Sequence, residues 1–321
     1  MKKFISLLLC AMVVLSALVL TSCGEEKTLK LGLGVHSVAE KATNADGDTN
    51  GQAQAVITAA AVLIDDEGKI VKCVIDSADN TVSYTSEGKA IANASFKTKY
   101  ELGYDYNMKL YAGAAKEWFE QVDAFCALVA GKTMSEVKAL VAEGGKGNSD
   151  VVAAGCTIAI TDFVLAVEDA VANAKTTNAT KNDMLKLGVA TEQTNKDADG
   201  DKNGESKLAT DIFAAAVDAE GKIVAATNES VEVSFTFDAT GKSTFDISKD
   251  IEGKREKGDA YGMKNPNYGS AKEWYEHADA FISACIGKKA GEIASIPAAD
   301  IQAAGCTISI DGFVKAVAKI G

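Results

Sequence analysis

The feature that most constrains this chain is that it is written twice. Ala154-Gly155-Cys156-Thr157-Ile158-Ala159-Ile160 returns as Ala304-Gly305-Cys306-Thr307-Ile308-Ser309-Ile310, and each copy runs into an apolar stretch, Phe163 to Val167 and Phe313 to Val317. Leu29-Lys30-Leu31-Gly32 recurs as Leu185-Lys186-Leu187-Gly188, Gly68-Lys69-Ile70-Val71 as Gly221-Lys222-Ile223-Val224, and Ala115-Lys116-Glu117-Trp118 as Ala271-Lys272-Glu273-Trp274. The offsets stay at 150 to 156 residues. So long a period implies two tandem homologous domains of ordinary size and not a solenoid. The Thr- and Asn-rich stretch 175–183 reads as the linker, with a first repeat over 23–174 and a second over 184–321.

Within each repeat the pattern is α+β, an antiparallel sheet flanked by helices. Ala55 to Asp65 is apolar and β-branched, Asp66-Glu67-Gly68-Lys69 makes a turn, and Ile70 to Asp76 alternates as a returning strand. Ile212 to Asp218, Ala219-Glu220-Gly221-Lys222 and Ile223 to Ala226 repeat that hairpin, and Val231 to Phe237 reads as one strand more. Trp118, Val122, Phe125 and Val129 share one face of a helix that Gly131 can close. Thr133 and Glu136 form a capping box for a second helix, a box that Lys289 does not continue in the second repeat. Phe163, Val167, Ala170 and Ala174 make the last stripe. The two tryptophans sit on apolar stripes, so they read as core before they read as ligand platforms.

The first 22 residues read as a secretory signal: Lys2 and Lys3 precede an apolar run from Ile5 to Leu20, too short to span a bilayer comfortably. Leu20-Thr21-Ser22-Cys23 resembles a bacterial lipobox, which implies that Cys23 is diacylated and holds the protein on the outer face of the cytoplasmic membrane. Two acyl chains suffice for stable anchoring where one is marginal. The formal net charge of −12 repels nucleic acid and anionic headgroups, so contact with the lipid bilayer falls to the acylated cysteine. Five cysteines follow Cys23, an odd number without a CxxC pair, and read as small buried hydrophobes. With two histidines and no GxSxG, HExxH, P-loop or GxGxxG, the chain carries none of the common hydrolytic or nucleotide-binding machinery.

Two further patterns are candidates for ligands. Asp46, Asp48 and Asn50, matched by Asp199, Asp201 and Asn203, alternate oxygen ligands ahead of Gly51 and Gly204 as a calcium loop begins. The twelfth position is Ile57 or Thr210 where a bidentate acid is needed, which leaves a solvated acidic turn as the competing reading. The loop Tyr100 to Lys109 is echoed by Arg255 to Lys264, and Tyr106/Tyr261 and Met108/Met263 persist in both. Such a loop either covers a flat heteroaromatic ligand or packs over the end of the sheet.

Taken together, a lipobox, a strand and Gly-Lys-Ile turn, a Tyr/Met loop, a helix with Glu-Trp-Phe and a terminal Gly-x-Thr before an apolar helix resemble the FMN-binding domain family of exported, lipid-anchored flavoproteins. The resemblance runs through both repeats. It implies FMN held as a phosphoester on the threonine of a Ser-Gly-Ala-Thr motif, a role in extracytoplasmic electron transfer, and a membrane redox partner. On this chain the positions are Gly155, Cys156 and Thr157, and Gly305, Cys306 and Thr307, with Tyr106 and Tyr261 nearby. The departures fall in the motif: Ala154 and Ala304 stand for Ser, Cys156 and Cys306 for Ala, and Asp150 and Asp300 lie seven residues before the threonine where the family has six. Ser309 keeps the hydroxyl two places on, and Ala159 does not. These expectations make Thr307 the better acceptor; the competing reading is a scaffolding or binding lipoprotein whose threonines are vestigial strand residues.

Overall fold

The computed structural model describes residues 27–265, 267 and 269–321; residues 1–22, read above as a signal, and Cys23 lie outside them. Three long strands, β1 (Lys30–Thr43), β2 (Gly51–Ile64) and β3 (Ile70–Tyr84), form an antiparallel meander. The two-residue strands β4 (Ala90–Ile91) and β5 (Lys175–Thr176) extend it to the order β4-β3-β2-β1-β5. A second meander, β6 (Met184–Lys196), β7 (Gly204–Val217) and β8 (Ile223–Phe237), forms a separate three-stranded sheet. Val231 to Phe237 is therefore the far half of β8 and not a strand of its own, because Asn228 to Ser230 stay paired with Phe213 to Asp211 of β7.

Helices follow each meander in the same order. After β4 come α1 (Lys99–Leu102), α2 (Met108–Ala112), α3 (Trp118–Val129), α4 (Met134–Lys138), α5 (Ser149–Ala154) and α6 (Thr161–Ala172). After β8 come α7 (Lys254–Lys257), α8 (Trp274–Cys285), α9 (Ala290–Ile293), α10 (Ala298–Ala303) and α11 (Asp311–Ala318). The capping box at Thr133 is present, with the Glu136 carboxylate accepting from the Thr133 N–H at 2.8 Å. Half of it survives at α9, where the Lys289 N–H donates to Glu292 at 2.7 Å. That half needs only the backbone N–H of the capping residue, so lysine can supply it.

The layers run helix, sheet, sheet, helix. Alternate residues of β2 explain the arrangement: Ala55, Ile57, Ala59, Ala61 and Leu63 face a core shared with the second sheet, while Ala60, Val62 and Ile64 face the helices. In β7, Leu208, Ile212, Ala214 and Ala216 face the shared core, and Phe213, Ala215 and Val217 face α8 and α11. A strand covered on both faces needs no polar alternation, which is why these runs are continuously apolar. Trp118 and Trp274 are buried in the two helix-facing cores, each edge-on to a phenylalanine, Phe163 and Phe313.

The sheets meet through a small polar cluster inside the apolar layer. The Asn80 amide donates to Thr191 and Thr210 at 3.1 and 3.2 Å, and the two threonine hydroxyls lie 2.9 Å apart. Residues 175–183 are tied to this body: β5 pairs with Lys30 and Leu31, the Leu29 N–H donates to the Ala179 carbonyl at 2.7 Å, and Ala179 is fully buried.

The Asp-Gly-Asp loops are tight turns closed on themselves, Asp46 to Thr49 and Asp199 to Lys202, with reciprocal backbone hydrogen bonds of 2.9 to 3.0 Å. Each grips the opposite half: the Ala45 N–H donates to the Gly241 carbonyl at 2.8 Å, and the Ala198 N–H to the Gly88 carbonyl at 2.9 Å. Asp46, Asp48, Asn50, Asp199, Asp201 and Asn203 belong to these joints, and no group of three or more His, Cys, Asp or Glu side chains suited to a metal ion occurs among the described residues.

Candidate functional site

The repeated Ala-Gly-Cys-Thr stretch is not a strand. Ala154 ends α5, Gly155 turns the chain with φ of 101°, and residues 156–160 run irregularly into α6; Gly305 does the same after α10 with φ of 106°. That backbone region strains any residue with a Cβ. A side chain here would also strike the lysine that covers the turn, Lys116 in the first half and Lys272 in the second. Cys156 and Cys306 point into the helix-facing cores, where burial raises their thiol pKa values, so they pack as hydrophobes. Thr157 and Thr307 are exposed.

A buried glutamate at the start of each long helix brings the Tyr/Met loop to this turn. Glu117 accepts from the Met108 N–H at 2.7 Å, and Glu273 accepts from the N–H groups of Met263 and Lys264 at 2.8 and 3.1 Å. Glu120 and Glu276 in turn accept from the backbone N–H of Glu117 and Glu273, both at 2.8 Å. Tyr106 and Tyr261 are half-buried, and a lysine ammonium lies over each ring, Lys99 at 5.7 Å and Lys254 at 5.4 Å from the centroid. The same lysines reach the rings of Trp118 and Trp274, so the tryptophans also serve as cation platforms.

The two halves part at one position that the sequence patterns did not single out. In the first, the Gln121 carbonyl oxygen accepts from both the N–H and the hydroxyl of Thr157, at 2.8 and 3.0 Å, while its amide donates to the Lys116 carbonyl at 3.1 Å. In the second, His277 occupies this place: its Nδ1 lies 3.3 Å from the Thr307 N and its Nε2 3.3 Å from the Ser270 hydroxyl. Ser270 already donates to the Lys272 carbonyl at 2.6 Å, which puts the proton on Nε2 and leaves Nδ1 to accept from Thr307; the Gly305 carbonyl, also 3.3 Å from Nδ1, takes its hydrogen bond from Lys272 instead. A histidine nitrogen accepting from the backbone leaves the Thr307 hydroxyl without a hydrogen bond among the described residues.

Beside Thr307 opens a cavity of about 500 Å³, lined by Tyr261, Met263, Ser270, Thr307 and Ile308. This is within the range of small-molecule sites, about 300–1,000 Å³. Lys272 donates to the Gly305 carbonyl at 2.9 Å and sets a positive charge at the turn. Thr307, Tyr261 and Met263 thus converge on one concave surface, with Gly305 two residues before Thr307 on the turn that presents it, whereas Cys306 lies behind it in the core.

Comparison of the chain with protein-family models, with curated proteins and with solved structures returned no match.

Proposed function

We propose that this is an exported protein, anchored to the outer face of the cytoplasmic membrane through acylated Cys23, that carries FMN for electron transfer and holds it as a phosphoester on Thr307. The two halves are read as tandem homologous domains, in keeping with their matching order of strands and helices. The observation that carries the proposal is the exposed Thr307 hydroxyl, without a hydrogen bond among the described residues, on a glycine turn beside a cavity lined by Tyr261 and Met263. The residues fit such a group: the hydroxyl accepts the phosphoester, Lys272 lies against the adjoining turn with charge of the right sign, and Tyr261, Met263 and Ile308 offer a flat apolar wall. FMN bound there would supply one- and two-electron transfer, with the chain contributing position and electrostatics.

A binding or scaffolding protein without cofactor is the second reading, and Gln121 favours it for the first half. There the Thr157 hydroxyl is already engaged, and attachment would have to break that bond. Intact mass, absorption spectrum and peptide mapping of the protein purified from its own host decide between the two. Flavin on the peptide containing Thr307 is the expected result. Flavin on Thr157 alone reverses the assignment, and colourless protein with no flavin mass on either threonine peptide favours the second reading.

A further inference from the structure

Cys73 and Cys126 are 53 residues apart in the sequence and line the same cleft of the folded protein. Cys73 lies on β3 and Cys126 on α3, and both line one surface cleft of about 320 Å³ together with Lys72, Asp123, Ala127, Ala130 and Leu185. Cys73 is buried and Cys126 partly exposed. At the matching strand and helix positions of the second half stand Ala226 and Ile282, so the pair belongs to the first half alone. Of the other three described cysteines, Cys156 shares the helix-facing core of the first half and Cys285 and Cys306 lie in that of the second; all three are buried and none lines this cleft.

We propose that Cys73 and Cys126 are a redox pair that closes to a disulfide by exchange with a low-molecular-weight disulfide admitted by this cleft. Cys126, the more exposed, loses its proton to water and attacks the oxidant, releasing one reduced thiol and forming a mixed disulfide. Cys73 then attacks the Cys126 sulfur and expels the second thiol. Two protein thiols are oxidised and one external disulfide is reduced. The product ties the last turn of α3 to β3, about one and a half turns beyond Gln121, and so clamps the helix that holds Thr157.

The surroundings set the rate. Contact with Cys73, burial and the Asp123 carboxylate together push the Cys126 thiol well above its ordinary pKa. The thiolate is the attacking species, so closure is slow at neutral pH and speeds up as pH rises. Neutralising Asp123 removes one of the three causes.

The test uses the described chain, reduced and then treated with glutathione disulfide, followed by differential alkylation and peptide mapping. The expected product lacks two hydrogens and links the Cys73 and Cys126 peptides, with Cys156, Cys285 and Cys306 still alkylated as free thiols after unfolding. In Cys73→Ser the reaction should stop at a glutathione adduct on Cys126. Asp123→Asn should close several-fold faster than the parent at neutral pH, a change that a purely packing role for Asp123 would not produce. Full alkylation of both Cys73 and Cys126 after oxidant at alkaline pH, or a crosslink to another cysteine, would overturn the proposal.

Discussion

Tyr84 and Phe237 stack with ring centroids 4.4 Å apart and planes 9° from parallel, each from the last position of the third strand of its sheet. Each ring also lies over a glycine of its own sheet, Gly51 under Tyr84 and Gly204 under Phe237, where a Cβ would collide with the ring. Because the stack belongs to both halves, its loss should weaken both together. Phe237→Ala is expected to cost about 3–5 kcal/mol. Urea denaturation followed by fluorescence in Trp118→Phe and Trp274→Phe backgrounds should show one lowered midpoint for both reporters. Two separated midpoints would mean that the halves unfold independently.

Gly34 and Gly188 sit where the last helix of each half crosses its sheet, and a methyl group at either would collide with a helix carbonyl, that of Ala166 or Ala316. Gly188→Ala should therefore force α11 off β6. The expected loss is about 1–3 kcal/mol or more, measured as a fall in thermal midpoint. Gly200→Ala makes a useful contrast, because its turn has φ of 57° but open space around it, and only the backbone strain of about 1 kcal/mol is expected there.

Burial pushes the Asp211 carboxyl up to about 6 from an ordinary 3.8, opposed by a hydrogen bond with Ser230 and by the charge of Lys254. The folded chain thus holds a proton that the unfolded chain has released. This contribution to stability is fully present below pH 3.8 and is lost as pH rises through about 6. Two pKa units correspond to about 3 kcal/mol. Asp211→Asn is accordingly expected to stabilise the protein at neutral pH by up to about that amount and to change little near pH ~4. An equal effect at both pH values, in paired denaturation curves, would remove the titration as its cause.

Residues 175–183 have the composition of a linker but the contacts of a strap, with Ala179 buried in the shared core and Lys72 donating to the Asp183 carbonyl. Backbone that is paired and buried resists cleavage. The exposed stretch around Lys249 has far fewer ties. The first tryptic cut is expected after Lys249 and not after Lys175, as read by fragment mass; early cleavage within the strap would show that it opens readily.

Local patterns in the sequence carried the hairpins, the long helices, the Thr133 capping box and the buried tryptophans, since each depends on residues a few places apart. Long-range pairings were not legible in the same way. The repeat of Leu29-Lys30-Leu31-Gly32 in Leu185-Lys186-Leu187-Gly188 is offset by two: Leu33 pairs with Ala61 and Leu187 with Ala214, so Gly34, and not Gly32, matches Gly188. A slip of two keeps every side chain on the same face, and periodicity alone cannot detect it. Bulging at Glu40 adds one more residue to β1 and hides the match further. Gln121 and His277 were missed because they look like ordinary helix residues until the Gly-Cys-Thr turn, 36 and 30 residues later, is folded against them.

The reciprocal grip of the two Asp-Gly-Asp turns has a consequence for how the protein behaves in a crowd. Ala45 reaches Gly241 and Ala198 reaches Gly88, so one kind of joint is made twice, in opposite senses, within a single chain. A head-to-tail contact used once leaves a free donor surface at one end and a free acceptor at the other, and such ends can propagate into filaments. Here both surfaces are spent on each other. The ring is closed at two halves, and the backbone groups that make these joints are no longer open to a further copy.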